Sequence, residues 1–180
     1  TLFPYTTLFR SHYLISSGLT EIIEGTKIYK NFANVFASEY WFDAYDLPFP
    51  KRVITDTGKT QYLFRINKGV EDLGRSINSH MPEAERPIPF SQMVYFGDGD
   101  TDVPSMALLK KNGGHAIAVH TPGANAGKCI DLFKAGRCDG GRQSWRRGAG
   151  MEHDIGPFEY RLEVECVPYI NGVLYCRCRE

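Results

Sequence analysis

The chain has 180 residues, with 21 Lys and Arg balancing 21 Asp and Glu for a formal net charge of zero. That length suits one domain, and the charge balance gives no electrostatic case for nucleic acid or an anionic membrane as partner. No uninterrupted apolar run approaches the roughly 20 residues of a membrane helix, and the sequence carries no secretory signal pattern.

The five cysteines, Cys129, Cys138, Cys166, Cys176 and Cys178, include no C-x-x-C pair. Zinc is therefore weakly supported, and reduced thiols in a cytoplasmic protein are the expectation. His12, His80, His115, His120 and His153 have no metal-ligand spacing and are assigned no role.

Thr1 to Ser11 reads TLFPYTTLFRS. It matches the translation of a common short-read sequencing adapter and is set aside from fold reasoning. His12 to Ile15 then reads as a strand, with Ser16-Ser17-Gly18 as the turn out of it. Leu19, Ile22, Ile23 and Thr26 give helical spacing, capped by Ser17 or Thr20. Val35 to Asp43 reads as a strand that reverses around Asp46-Leu47-Pro48, with a returning strand near Arg52 to Thr55. Tyr40, Trp41 and Phe42 are expected to be packing residues of this excursion, and a substrate-facing role is the second choice.

Lys59 opens a helix whose expected apolar face is Leu63, Ile66, Val70 and Leu73. Thr57-Gly58-Lys59-Thr60 resembles part of a P-loop, but that motif needs Gly where Val53 stands. An acidic, proline-containing loop follows from Met81 to Pro89.

Met93-Val94-Tyr95-Phe96 is a short apolar run that breaks into Gly97-Asp98-Gly99-Asp100-Thr101-Asp102. In open α/β sheets ligands collect beyond the carboxyl ends of strands. Three carboxylates crowded there repel one another unless a cation or a proton relieves them. Mg²⁺ fits, since it takes one or two carboxylates together with waters and phosphate oxygens. An EF-hand would need Gly at Val103 and Glu at Leu109 and has neither. A plain helix cap accounts for one or two of the acids, not for three with two glycines.

Pro104 opens the next helix, with Met106, Leu108 and Leu109 as its apolar side and Gly113-Gly114 as its stop. Ala116 to Val119 is a further strand, and Asn125 to Ala135 a further helix ended by Gly136. Alternating strands and helices predict a parallel α/β sheet. From Gly140 to Asp154 no helical or strand period is defensible, while Tyr160 to Val167 alternates like a strand. Tyr160–Val167 and Tyr169–Cys178 could pair as a hairpin about Asn171-Gly172, or the segment is frame-shifted or foreign.

Three separated pieces resemble the second, third and fourth motifs of haloacid dehalogenase-like (HAD) phosphohydrolases, most nearly the phosphoserine-phosphatase-like members. They are the strand ending in Ser16-x-Gly18, Lys59 at a helix start, and Gly97-Asp98-Gly99-x-x-Asp102 after a strand. The resemblance implies a Rossmann-like parallel sheet with flanking helices and a Mg²⁺-dependent phosphomonoester hydrolase working through an aspartyl-phosphate. It implies catalytic roles for Ser16, Lys59, Asp98 and Asp102. Ser16, Ser17, Gly18 and Lys59 would hold phosphate, Asp98 would bind Mg²⁺ directly, and Asp102 would bind it or one of its waters. Gly97 and Gly99 would allow close backbone approach. The implied partner is a small phosphorylated metabolite, with no nucleic acid and no membrane.

The family's first motif, Asp-x-Asp-x-Thr or Val, has no counterpart before His12, and no cap domain lies between the first two motifs. The chain is therefore expected to be inactive as it stands. In that family the first motif lies on a central strand, between the strands that end here at Ser16 and Asp98, and its absence is expected to leave two inner sheet edges unpaired. Residues 1–11 are thus adapter-like, 12–139 a partial phosphatase core and 140–180 a tail of open origin. Alternatives from other classes are a non-catalytic Mg²⁺- or phosphate-binding module of receiver type and an interaction module whose acids only cap a turn.

Overall fold

A computed structural model describes residues 10–120, 127–143 and 173–177. The chain is mixed α/β. Strand β1 (Arg10–Leu19) is followed by the short helix α1 (Thr20–Glu24) and by β2 (Asn34–Phe42). The hairpin strand β3 (Pro48–Arg52) and helix α2 (Lys59–Lys68) come next. Then follow β4 (Met93–Gly97), α3 (Val103–Lys111), β5 (His115–His120), α4 (Gly127–Lys134), β6 (Gly140–Gln143) and β7 (Val173–Arg177). They form one sheet in the order β3-β2-β1-β7-β4-β5-β6.

Pairs β1–β2, β4–β5 and β5–β6 are parallel, each joined through a helix as parallel neighbours require. Along β1 the side chains alternate between faces. Tyr13 and Ile15 enter the larger core with Phe36, Leu63, Ile66, Met93, Tyr95, Met106 and Leu109. Leu14 enters a smaller cluster with Ile23 and Ala37, against which Phe96 packs. Both faces of β1 are thus covered, as a strand with a parallel neighbour on a helix crossover demands. Phe36 stacks on Tyr62 with ring centroids 4.9 Å apart, which fixes α2 over β2.

Several elements differ from the sequence reading. Helix α1 is only five residues long, and Ile22 on it is 69% exposed. Its N-cap is Leu19, with no side-chain cap, so neither Ser17 nor Thr20 plays that part. The Thr20 hydroxyl instead donates to the Ser38 carbonyl. Helix α2 stops at Gly69, which adopts the left-handed conformation at φ 63. Val70 and Leu73 therefore lie past its end rather than on its apolar face, whereas Leu63 and Ile66 are buried as expected.

In the hairpin the turn comes early. The Asp43 carboxylate accepts the Tyr45 and Leu47 amides, and Asp46 takes a positive φ of 58. That places β3 at residues 48–52 rather than 52–55. Its Pro48 and Pro50 are tolerated because β3 is an edge strand. Tyr40, Trp41 and Phe42 are exposed rather than packed into the core; the Trp41 ring lies 5.8 Å from that of its cross-strand neighbour Phe49.

Gly140–Gln143 forms a parallel edge strand beside β5 although its letters carry no strand pattern. The two inner edges expected at the sheet centre are occupied. Strand β7 lies antiparallel between β1 and β4, pairing Val173 with Leu14 on one side and Phe96 on the other. The rest of the proposed tail hairpin, and residues 1–9, fall outside the described residues. Among the described residues no helix is long and apolar enough to cross a membrane.

Candidate functional site at the carboxyl ends of β1 and β4

Register places the motifs at one level. Leu14 and Phe96 both face Val173, so Ser16 and Asp98 each stand two residues further along strands that run in the same direction. One strand separates them, a span of roughly 10 Å at the usual strand spacing.

Ser16 does not begin a turn. Between Ile15 and Leu19 strand β1 carries two more residues than β2 does between Phe36 and Ser38, which makes a bulge of the Ser16–Gly18 segment. The Gly18 amide donates to the Ser16 hydroxyl oxygen at 3.0 Å and closes the bulge. The Ser38 hydroxyl donates to the Ser17 carbonyl and accepts the Ile54 amide, both at 3.1 Å. Ser38 thus ties the bulge to the segment leading into Lys59. Ser16 is buried at 7% exposure, while Ser17 and Gly18 are exposed.

Lys59, the first residue of α2, is fully buried. Its ammonium donates to Asp102 Oδ1 at 2.7 Å and to Thr101 Oγ1 at 3.2 Å. Asp102 is the hub of the site. The same Oδ1 accepts the Tyr95 phenol at 2.6 Å, and Oδ2 accepts the amides of Asp98 and Gly99, each at 3.2 Å. Four donors satisfy a carboxylate with no exposed surface, which is what a buried charge requires. Burial, followed by the negative charge of Asp102, pushes the Tyr95 phenol well above its ordinary range, so it remains a donor.

Gly97 is where β4 passes against this hub. A Cβ there would lie 2.5 Å from Asp102 Cβ and 2.9 Å from Met106 Cε. Gly99 differs: a Cβ there would meet nothing closer than Thr101 Oγ1 at 3.6 Å, so close packing does not require this glycine.

Asp98 is exposed at the end of β4. Partial desolvation, and then the neighbouring Asp102 charge, raises its carboxyl above the ordinary aspartate range; Lys59 and Lys128 pull it back. Its carboxylate oxygens accept no side-chain donor among the described residues, in contrast to those of Asp102. Asp100 points outward, and its carboxylate pairs with Lys128 on α4 at 2.9 Å. Among the described residues no three His, Cys, Asp or Glu side chains form a ready metal cluster.

The sequence reading therefore named Ser16, Lys59, Asp98 and Asp102, and the structure brings the last three together with Ser16 at the same sheet level. It missed Tyr95, Thr101 and Lys128. Tyr95 carried a signal: it holds the one polar side-chain atom able to donate a hydrogen bond in the run Met93–Phe96, and a buried phenol needs a partner. Lys128 carried none, since its place opposite Asp100 depends on where α4 packs.

No protein-family profile matches the chain, and no solved structure does. The chain is similar to an uncharacterised protein of Borreliella burgdorferi, 33% identical over 113 residues. The match covers 54% of this chain and 38% of that protein. The chain therefore spans well under half the length of this relative.

Proposed function

We propose that the chain is the metal- and phosphate-holding part of a Mg²⁺-dependent phosphomonoester hydrolase of HAD type. The observation that carries this reading is the meeting of Lys59 with Asp102 behind an exposed Asp98, on strands whose carboxyl ends also present Ser16. Ser16, Lys59 and the Asp98–Asp102 turn are far apart in sequence, and the ends of parallel strands are where α/β sheets bind ligands.

The donor set suits Mg²⁺ in one particular way. Asp98 offers an exposed carboxylate that no side-chain donor occupies among the described residues, and Mg²⁺ accepts one such ligand with waters and phosphate oxygens. Asp102 has both oxygens committed, so its part is to hold Lys59 and the Asp98 loop rather than to ligate directly. The bound metal would neutralise phosphoryl charge. Ser16 supplies a hydroxyl donor, and the buried Lys59 supplies a positive field. The nucleophilic Asp of this family has no counterpart in the sequence, so the chain by itself turns nothing over.

Isothermal titration tests this. Mg²⁺ and then inorganic phosphate should bind the intact chain, phosphate binding should depend on Mg²⁺, and Asp98→Asn should lose both. Absence of Mg²⁺ binding would overturn the reading. Steady Mg²⁺-dependent hydrolysis of p-nitrophenyl phosphate, abolished by Asp98→Asn, would overturn the inactivity. A second reading, an interaction module, draws on the exposed Trp41, Phe42, Tyr45, Leu47 and Phe49 of the β2–β3 hairpin. In that case the acids only cap a turn, and the same titration returns no Mg²⁺ binding.

A further inference from the structure

Lys59 leaves a gap in the site's chemistry. It is the motif lysine, yet it has no exposed surface, and two of its three donor positions are taken by Asp102 and Thr101. Its charge is felt at the site, but an incoming phosphate dianion needs a cation it can touch. Lys128 on α4 is such a cation. Its side chain is 44% exposed, and its ammonium lies 2.9 Å from Asp100, a carboxylate 89% exposed. Asp98 feels the charge of Lys59 and of Lys128 together, so both ammonium groups act on the carboxylate proposed to carry the metal.

An ion pair as open to water as Asp100–Lys128 contributes little stability. A doubly charged anion bound beside Asp98 competes with Asp100 for the same ammonium, and the flexible four-carbon stem of a lysine allows the move. We propose that Lys128 is a phosphate-binding residue of this site, parked on Asp100 in the empty state and transferred to the anion when it arrives. The proposal rests on the phosphate reading above and deepens it. It also gives Asp100 a role as a competitor that sets how tightly phosphate is held.

The test is inorganic phosphate titrated into the full chain at saturating Mg²⁺, for the wild type, Lys128→Gln, Asp100→Asn and the double variant. Both residues are exposed, so the fold should survive each change. Lys128→Gln should weaken phosphate by about tenfold, the scale of one charge-assisted hydrogen bond. Asp100→Asn should strengthen it by roughly two- to fivefold, since it releases an exposed ion pair. In the Lys128→Gln background Asp100→Asn should have no effect. Phosphate binding unchanged in Lys128→Gln overturns the proposal. So does an Asp100→Asn gain that persists without Lys128, since that gain is then bulk charge alone. If the wild type binds no phosphate, the phosphate reading itself fails and this inference falls with it. Binding that is lost in Asp98→Asn yet indifferent to Lys128 leaves that reading standing and removes only this one.

Discussion

The Lys59 ammonium and the Asp102 carboxylate meet at 2.7 Å with side chains 1% and 0% exposed, one from the start of α2 and the other from the turn after β4. Such a pair is costly to break from one side, because the survivor is a buried charge with no counter-ion. Lys59→Met and Asp102→Asn should each lower unfolding stability by about 3–5 kcal/mol. The Lys59→Met/Asp102→Asn double variant, which leaves no unpaired charge, should lose clearly less than the sum. Urea unfolding of the four proteins measures this; strictly additive losses would mean that the two charges do not depend on one another.

Gly97 and Gly99 make an internal comparison. Both flank Asp98, yet only a Cβ at Gly97 would collide with Asp102 and Met106. Gly97→Ala should destabilise by about 1–3 kcal/mol, the usual cost of overpacking a tight site. It should also weaken Mg²⁺ by displacing the loop that holds Asp98. Gly99→Ala should change stability little, because its nearest contact would be ordinary. Thermal denaturation and Mg²⁺ titration of the two variants decide it.

What could be read from the sequence was whatever depends on neighbouring letters. Met93–Phe96 was legible as a buried strand because its apolar run ends in glycines, and the Asp98–Asp102 turn was legible because a helix begins directly after it. Helix α2 was drawn too long: Val70 and Leu73 continue the apolar spacing, and only the left-handed Gly69 breaks it. The strand at Gly140–Gln143 was invisible because it is an edge strand held by backbone pairing with β5, and its letters give no side-chain period. The Ser16 bulge was hidden for a related reason. It exists only relative to the register of β2.

Strand β7 tests the most distant of these pairings. It bonds β1 on one side and β4 on the other, and within the sheet it is what joins β3-β2-β1 to β4-β5-β6. Deleting residues 173–180 exposes two inner edges, each a row of unpaired amides and carbonyls open to wrong pairing. The shortened chain should lose cooperative thermal unfolding and should self-associate in sedimentation velocity. A monomeric, cooperatively unfolding deletion variant would mean that β1 and β4 do not need this strand.

Asp98 gives a pH dependence whose sign is fixed by its surroundings. Partial desolvation and the Asp102 charge raise its pKa in the folded chain. The folded state therefore binds more protons at this position than the unfolded state does, and stability falls as pH rises from the ordinary aspartate pKa to the raised one. Above that window the ionised carboxylate remains a burden. In metal-free buffer near neutral pH, Asp98→Asn should accordingly melt higher than the wild type, with the difference vanishing in acid. Mg²⁺ reverses the ranking: bound at the ionised carboxylate it should raise the melting temperature of the wild type and leave Asp98→Asn unmoved. Thermal scans at two pH values, with and without Mg²⁺, provide the readout. A variant that melts lower than the wild type without metal would mean that the ionised carboxylate is no burden to the fold, and one that gains equally from Mg²⁺ would remove Asp98 from the metal site.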